Sequence, residues 1–65
     1  MFIKVEVEES LFYINVDKIM YMQEYHDNIV KTAIHFSEDH YIVVEKSVEQ
    51  LINQLPPQKV KLLLG

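Results

Sequence analysis

Ile29-Val30-Lys31-Thr32-Ala33-Ile34-His35-Phe36, then Ser37-Glu38-Asp39, then His40-Tyr41-Ile42-Val43-Val44: two runs rich in β-branched and aromatic residues flank three turn formers, the pattern of a β-hairpin. With Ser37–Asp39 as a three-residue loop, Phe36 faces His40, Ile34 faces Ile42 and Thr32 faces Val44. On the other side His35 meets Tyr41, Ala33 meets Val43, and Lys31 meets Glu45 as a cross-strand ion pair. Moving the register by one residue would lose that pair and take Ile42 and Val44 off the face of Ile34. The one glycine is Gly65, so turns in this chain depend on Asp, Asn, Ser and Glu. Asx residues tolerate turn geometry and bond to their own backbone.

Upstream, Ile3, Val5 and Val7 alternate with Lys4, Glu6 and Glu8, the period of a half-buried strand. Glu8-Glu9-Ser10 breaks it, and Leu11 to Val16 returns as a second strand with Phe12, Ile14 and Val16 on one side. Asn15-Val16-Asp17-Lys18 reads as a short corner before a third strand, Ile19 to Gln23. Glu24 to Asn28 reads as a polar loop. Downstream the period becomes helical. Ser47 is a good N-cap, and Gln50 three residues later completes a capping box. Val48, Leu51, Ile52 and Leu55 follow as one apolar stripe, and Pro56-Pro57 ends the helix. A helix of about nine residues is too short to stand alone and must lean on the sheet. These elements predict an α+β domain over 1–57, with a four- to five-stranded, mostly antiparallel sheet and one C-terminal helix packed on one face. A tail over 58–65 carries Val60, Leu62, Leu63 and Leu64.

Sixty-five residues hold one domain, and a chain of this size buries only about 60% of the surface it exposes when unfolded. Without cysteine it has neither disulfides nor thiolate metal sites to help, and partners are the remaining aid. The absence of cysteine also fits a reducing cytoplasm, and neither a signal peptide nor an apolar run of membrane-spanning length is visible. The formal net charge is −4, and all six basic residues are lysines. Phosphate and guanine are best read by the bidentate fork of arginine, so specific nucleic-acid binding is disfavoured.

No catalytic motif, cofactor motif or metal-ligand spacing is present. His26, His35 and His40 lack a shared spacing, and His26-Asp27 has neither a nucleophile motif nor an oxyanion loop beside it. Glu8-Glu9 and Glu38-Asp39 fall in turns, where solvated charge is the default. The aromatic residues Phe2, Phe12, Tyr13, Tyr21, Tyr25, Phe36 and Tyr41 read as core, since a nucleic-acid stacking platform pairs its rings with a basic groove. What stands out is apolar surface in excess. Leu11–Ile14, Ile19–Met22 and Tyr41–Val44 are apolar on both faces, and one short helix covers part of one face. Either the sheet closes on itself or a second copy covers it, and the pattern favours a homo-oligomer contacting through Tyr41, Val43, Val60, Leu62, Leu63 and Leu64.

Asn15-Val16-Asp17-Lys18-Ile19-Met20-Tyr21-Met22-Gln23, an Ile/Val-rich strand, and Tyr41-Ile42-Val43-Val44-Glu45-Lys46-Ser47-Val48-Glu49-Gln50-Leu51-Ile52 together resemble the small flagellar FlbD-like (swarming motility) proteins. These read Asn-x-Asp-x-Ile-x-x-Ile-Glu, a strand, and Val-Val-x-x-Ser-Val-x-x-Val. The likeness spans positions 11–55, with a longer loop at Glu24–Asn28 and no Asn-Gly turn. The stretch is also similar to part of a LytTR-type DNA-binding domain, which is longer and basic. The first resemblance implies a small non-enzymatic interaction or regulatory protein, possible partners being protein and motility the setting. The second implies a nucleic-acid-binding regulatory domain. No functional residue carries over from either.

Overall fold

A computed structural model describes residues 1–55. Five strands run in chain order, β1 (Phe2–Val7), β2 (Ser10–Asn15), β3 (Tyr21–His26), β4 (Val30–His35) and β5 (Tyr41–Val44), and one helix follows, α1 (Val48–Ile52). The class is α+β, as the periodicities predict. The strands divide between two antiparallel sheets, β1–β2 and β3–β4–β5, where one sheet was expected. The corner Val16–Lys18 makes the division. It is a single 3-10 turn, capped by the Asn15 side chain accepting from the Asp17 amide at 3.0 Å, and it starts the chain in a new direction before β3.

The β4–β5 hairpin has the register its sequence dictates, with Thr32 opposite Val44, Ala33 opposite Val43, Ile34 opposite Ile42 and His35 opposite Tyr41. The Phe36 amide donates to the His40 carbonyl at 2.8 Å, closing the loop at Ser37–Asp39. Lys31 and Glu45, one step further, form no ion pair, which corrects the expected cross-strand bridge. β3 begins later and runs further than predicted. Tyr25 pairs with Lys31 and His26 with Val30, so Glu24–His26 belong to the strand. The connection shortens to Asp27–Ile29, because each further hydrogen-bonded pair satisfies backbone groups that a loop would leave without a protein partner.

One cluster joins both sheets and the helix: Ile3, Val5, Ile14, Val16, Ile34, Val44, Leu51 and Leu55. The inner face of β3–β4–β5 is therefore shared between the first hairpin and α1. The capping box is formed, with the Gln50 amide donating to Ser47 Oγ at 3.1 Å and the Ser47 amide to Gln50 Oε1 at 2.9 Å. Of the stripe, Leu51 and Leu55 are buried, Ile52 packs against the cluster and Val48 is half-buried. The α-helix itself is shorter than expected. It ends at Ile52, and the Gln54 and Leu55 amides tighten to Leu51 and Ile52 carbonyls, a 3-10 finish typical of helix ends. Pro56-Pro57, offered as its stop, and the tail lie outside the described residues.

The largest correction concerns the aromatic residues. Phe2, Phe12, Tyr13, Tyr21, Tyr25 and Tyr41 are exposed, and Phe36 alone packs against the core. The core cluster is aliphatic, built from Ile, Val and Leu, with Thr32 the one polar side chain buried on the inward face of β4. The rings fall mostly on the outward alternation, and Phe12, opposite the buried Val5, stays 46% exposed.

The β1–β2 turn stores strain. Glu8 and Glu9 both have positive φ, 49° and 68°, the pattern of a two-residue primed hairpin turn that normally selects Asn-Gly. Glutamate carries a Cβ that this region disfavours. Replacing the pair, Glu8→Asn with Glu9→Gly, is expected to stabilise the protein by about 1 kcal/mol, a rise of roughly 4–8 °C in Tm for a domain of this size. A calorimetric scan in which the midpoint stays put would show that the turn is unstrained.

Candidate functional site

The outer face of β3–β4–β5 is built from three cross-strand rows. Tyr21, His35 and Tyr41 form the first, Gln23, Ala33 and Val43 the second, and Tyr25 with Lys31 begins the third. Strand alternation puts these on the side away from α1, because Met22, Ile34 and Ile42 point to the core. In the first row the rings stack. The His35 ring lies 4.2 Å from Tyr21 at 12° and 4.8 Å from Tyr41 at 26°. Two tyrosines thus bury a histidine that stands on a solvent-side position, and its Nδ1 has no hydrogen-bond partner. Tyr25 donates its hydroxyl to Gln23 Oε1 at 3.0 Å. Tyr41 and Val43 remain 51% and 40% exposed on this face, and at its β5 side Val43 and Lys31 share an open groove with the β1–β2 turn.

Tyr41 and Val43 therefore stand on one apolar face, as the sequence places them. Val60, Leu62, Leu63 and Leu64 lie outside the described residues. Sequence reasoning missed Tyr21, Tyr25 and His35 as members of the same surface. The signal was present: once β4 pairs with β5, extending the ladder to β3 makes Tyr21 a neighbour of His35. The three histidines are separate. His35 is stacked in the sheet, His40 tilts against Phe36 on the other side of the hairpin, and His26 bonds to Glu24. Among the described residues no three His, Asp or Glu side chains gather as a metal site. An open groove of about 500 Å³ beside the β1–β2 turn is lined by Glu6, Glu8, Glu9 and Glu45 with Lys31 and Lys46, and by Val7 and Val43. It holds charges of both signs and no nucleophile.

Glu24 links the two ends of the fold. Its Oε1 accepts from the Val48 amide at 2.7 Å, at the start of α1, while Oε2 meets the His26 ring at 2.5 Å. Thr32, fully buried, donates to the Lys46 carbonyl at 2.7 Å and fixes the segment that leads into the helix. These are structural contacts that hold α1 against β3 and β4 and leave the opposite face free.

Compared with protein-family models, with curated proteins and with solved structures, the chain finds no match.

The Val48 amide, and after it the His26 ring, hold the Glu24 carboxyl below its ordinary value of 4.5. A carboxylate with a lowered folded value contributes stability that is complete above the unfolded value and lost as pH falls through the lowered one. Glu24→Gln keeps an acceptor for Val48 and removes the titration. The variant is expected to show a flatter dependence of Tm on pH below 4.5 than the parent. Superimposable curves for the two proteins would detach Glu24 from the helix start.

Proposed function

We propose that this is a small non-enzymatic interaction or regulatory protein of the cytoplasm that associates with itself through the outer face of β3, β4 and β5. The observation that carries the reading is the uncovered row Tyr21–His35–Tyr41 with Val43 and Tyr25 beside it. Aromatic residues are enriched at the centres of protein interfaces and charge is depleted there, and the first two rows of this face carry no acidic or lysine side chain. A second copy is the partner that the chain's size supports. A two-fold contact lays the same apolar rows against each other and gives a small domain the burial it lacks alone. The apolar tail residues Val60, Leu62, Leu63 and Leu64 belong to the same proposal as a further contact. A motility-related role is the setting that the likeness to FlbD-like proteins supports. No helix among the described residues is long and apolar enough to cross a membrane.

The exposed rings also favour one second reading, a single-strand nucleic-acid platform of the kind that stacks bases on a sheet. Net charge −4 and a basic complement of lysine alone weigh against it, because affinity for phosphate needs clustered positive charge. Anisotropy titration with single- and double-stranded oligonucleotides at physiological salt is expected to show no sequence-dependent binding tighter than about 1 μM. A sub-micromolar, sequence-dependent shift would replace self-association with the LytTR-like reading.

Light scattering on the intact chain is expected to give a mass above the monomer at micromolar concentrations. Val43→Lys, which sets a charge in the second row on the β5 side of the face, should weaken the association by about tenfold or more, the equivalent of about 1.4 kcal/mol. A monomer at every concentration would end the proposal.

A further inference from the structure

Four strand edges are available in the described fold, and three are managed. The edge of β1 is taken by Gln54, whose Oε1 accepts from the Lys4 amide at 2.9 Å and whose Nε2 donates to the Lys4 carbonyl at 2.9 Å. β5 packs beside β1. The edge of β3 carries Gln23, Glu24 and His26, polar side chains of the kind that blunt an edge. β2 has no such protection. Ser10-Leu11-Phe12-Tyr13-Ile14-Asn15 contains no charge, glycine or proline, and among the described residues it pairs with β1 alone.

The direction of its free backbone groups follows from Gln54. Lys4 uses both its N–H and its C=O on that side chain, so they point away from β2. Lys4 is opposite Tyr13, and in an antiparallel ladder such a pair turns both residues' backbone groups outward. Tyr13 and, two residues back, Leu11 therefore present N–H and C=O to the open side. Leu11, Phe12 and Tyr13 are also 56%, 46% and 63% exposed, an apolar edge with side chains on both faces.

We propose that the β2 edge is a second self-association site, where β2 of another copy adds antiparallel about a two-fold axis through Phe12. Leu11 and Tyr13 stand symmetrically about Phe12. That axis sets Leu11 of each copy opposite Tyr13 of the other, and every outward N–H and C=O of the two residues finds a partner. Phe12 then lies against Phe12 of the second copy, and the two hairpins become one four-stranded sheet. Charge does not oppose this occupant. The strand brings no charge to itself, and the two-fold axis sets the acidic turn Glu8-Glu9 of one copy at the Asn15 end of β2 in the other, away from the second acidic turn. The site rests on the reading of the chain as self-associating but uses a different surface. With both contacts present the assembly is a tetramer or longer.

The test is amide hydrogen exchange by NMR on the intact chain, from about 10 to about 500 μM, a range suited to a small interface. Protection of the Leu11 and Tyr13 amides is expected to rise with concentration, while that of Phe12, already bonded to β1, stays constant. Tyr13→Pro removes an outward donor and leaves the ladder to β1 intact. Leu11→Lys adds the charge that edges normally carry. Each should weaken the edge contact by tenfold or more, with Leu11→Lys serving should the proline variant not fold. Leu11 and Tyr13 amides that exchange freely at every concentration would overturn the proposal, as would a Leu11→Lys protein that assembles like the parent. Val43→Lys separates the two sites. If it abolishes assembly while Leu11→Lys does not, the sheet face stands and the edge falls. If Leu11→Lys abolishes assembly and Val43→Lys does not, the edge stands and the face falls.

Discussion

The two hydrogen bonds between the Gln54 side chain and the Lys4 backbone set the arrangement on which the rest depends. An amide side chain has one acceptor and two donors, so it can imitate the edge of a neighbouring strand for one residue. Here it joins the last described turn of the chain to its first strand, across fifty positions. That contact lets Leu51 and Leu55 close over Ile3 and Val5 from one end while Ile34 and Val44 close from the other. It also decides which side of the first hairpin is satisfied and which is not. With Lys4 bonded outward, one residue of the β1 edge is satisfied, and among the described residues no strand pairs with the outer edge of β2.

A core of this size is filled by side chains of one class. Ile, Val and Leu interdigitate without leaving a polar atom to satisfy, and β-branched residues suit the pleated surface. Tyrosine would bring a hydroxyl into this cluster, and among the described residues only two polar side chains are buried anywhere, Thr32 and His35. Thr32 is tolerated because the Lys46 carbonyl accepts its proton. His35 is tolerated on the other side of the sheet by stacking between two rings, with one nitrogen left unbonded. Leaving a buried acceptor or donor unsatisfied costs about 1–3 kcal/mol, which the stacking offsets in part. The outcome is a small aliphatic interior wrapped by sheets whose outer surfaces are aromatic.

Local features of this fold were legible in the sequence, and relations between distant segments were not. The β4–β5 register followed from the length of Ser37–Asp39 and the match of Ile34 to Ile42, both short-range. Ser47 and Gln50 announced the helix start because a capping box is complete within four residues. By contrast, nothing in Gln54 marks it as a strand substitute. Glu24 looked like loop because its acceptor role depends on Val48, half the chain away. The aromatic residues misled for a different reason. Where consecutive positions such as Leu11-Phe12-Tyr13 or Tyr41-Ile42-Val43 are all apolar, alternation no longer says which face is buried. The division into two sheets was hidden too, because it depends on how far the Val16–Lys18 turn redirects the chain.

Net charge −4 opposes any gathering of copies, and its placement explains why the opposition is small. Glu8, Glu9, Asp27, Glu38 and Asp39 sit at turns, at the ends of the strands, and the outer rows from Tyr21 to Val43 and the strand Ser10–Asn15 carry none of it. At physiological ionic strength charges are screened over about 8 Å. Acidic tips held at the rim of a contact therefore repel weakly, and more weakly as salt rises. The same tips disfavour pairing in any register that would set one acidic turn against another. In the proposed self-association, charge at the strand ends and its absence along the strands act together: the first selects the geometry of contact, and the second supplies the surface that contact can bury.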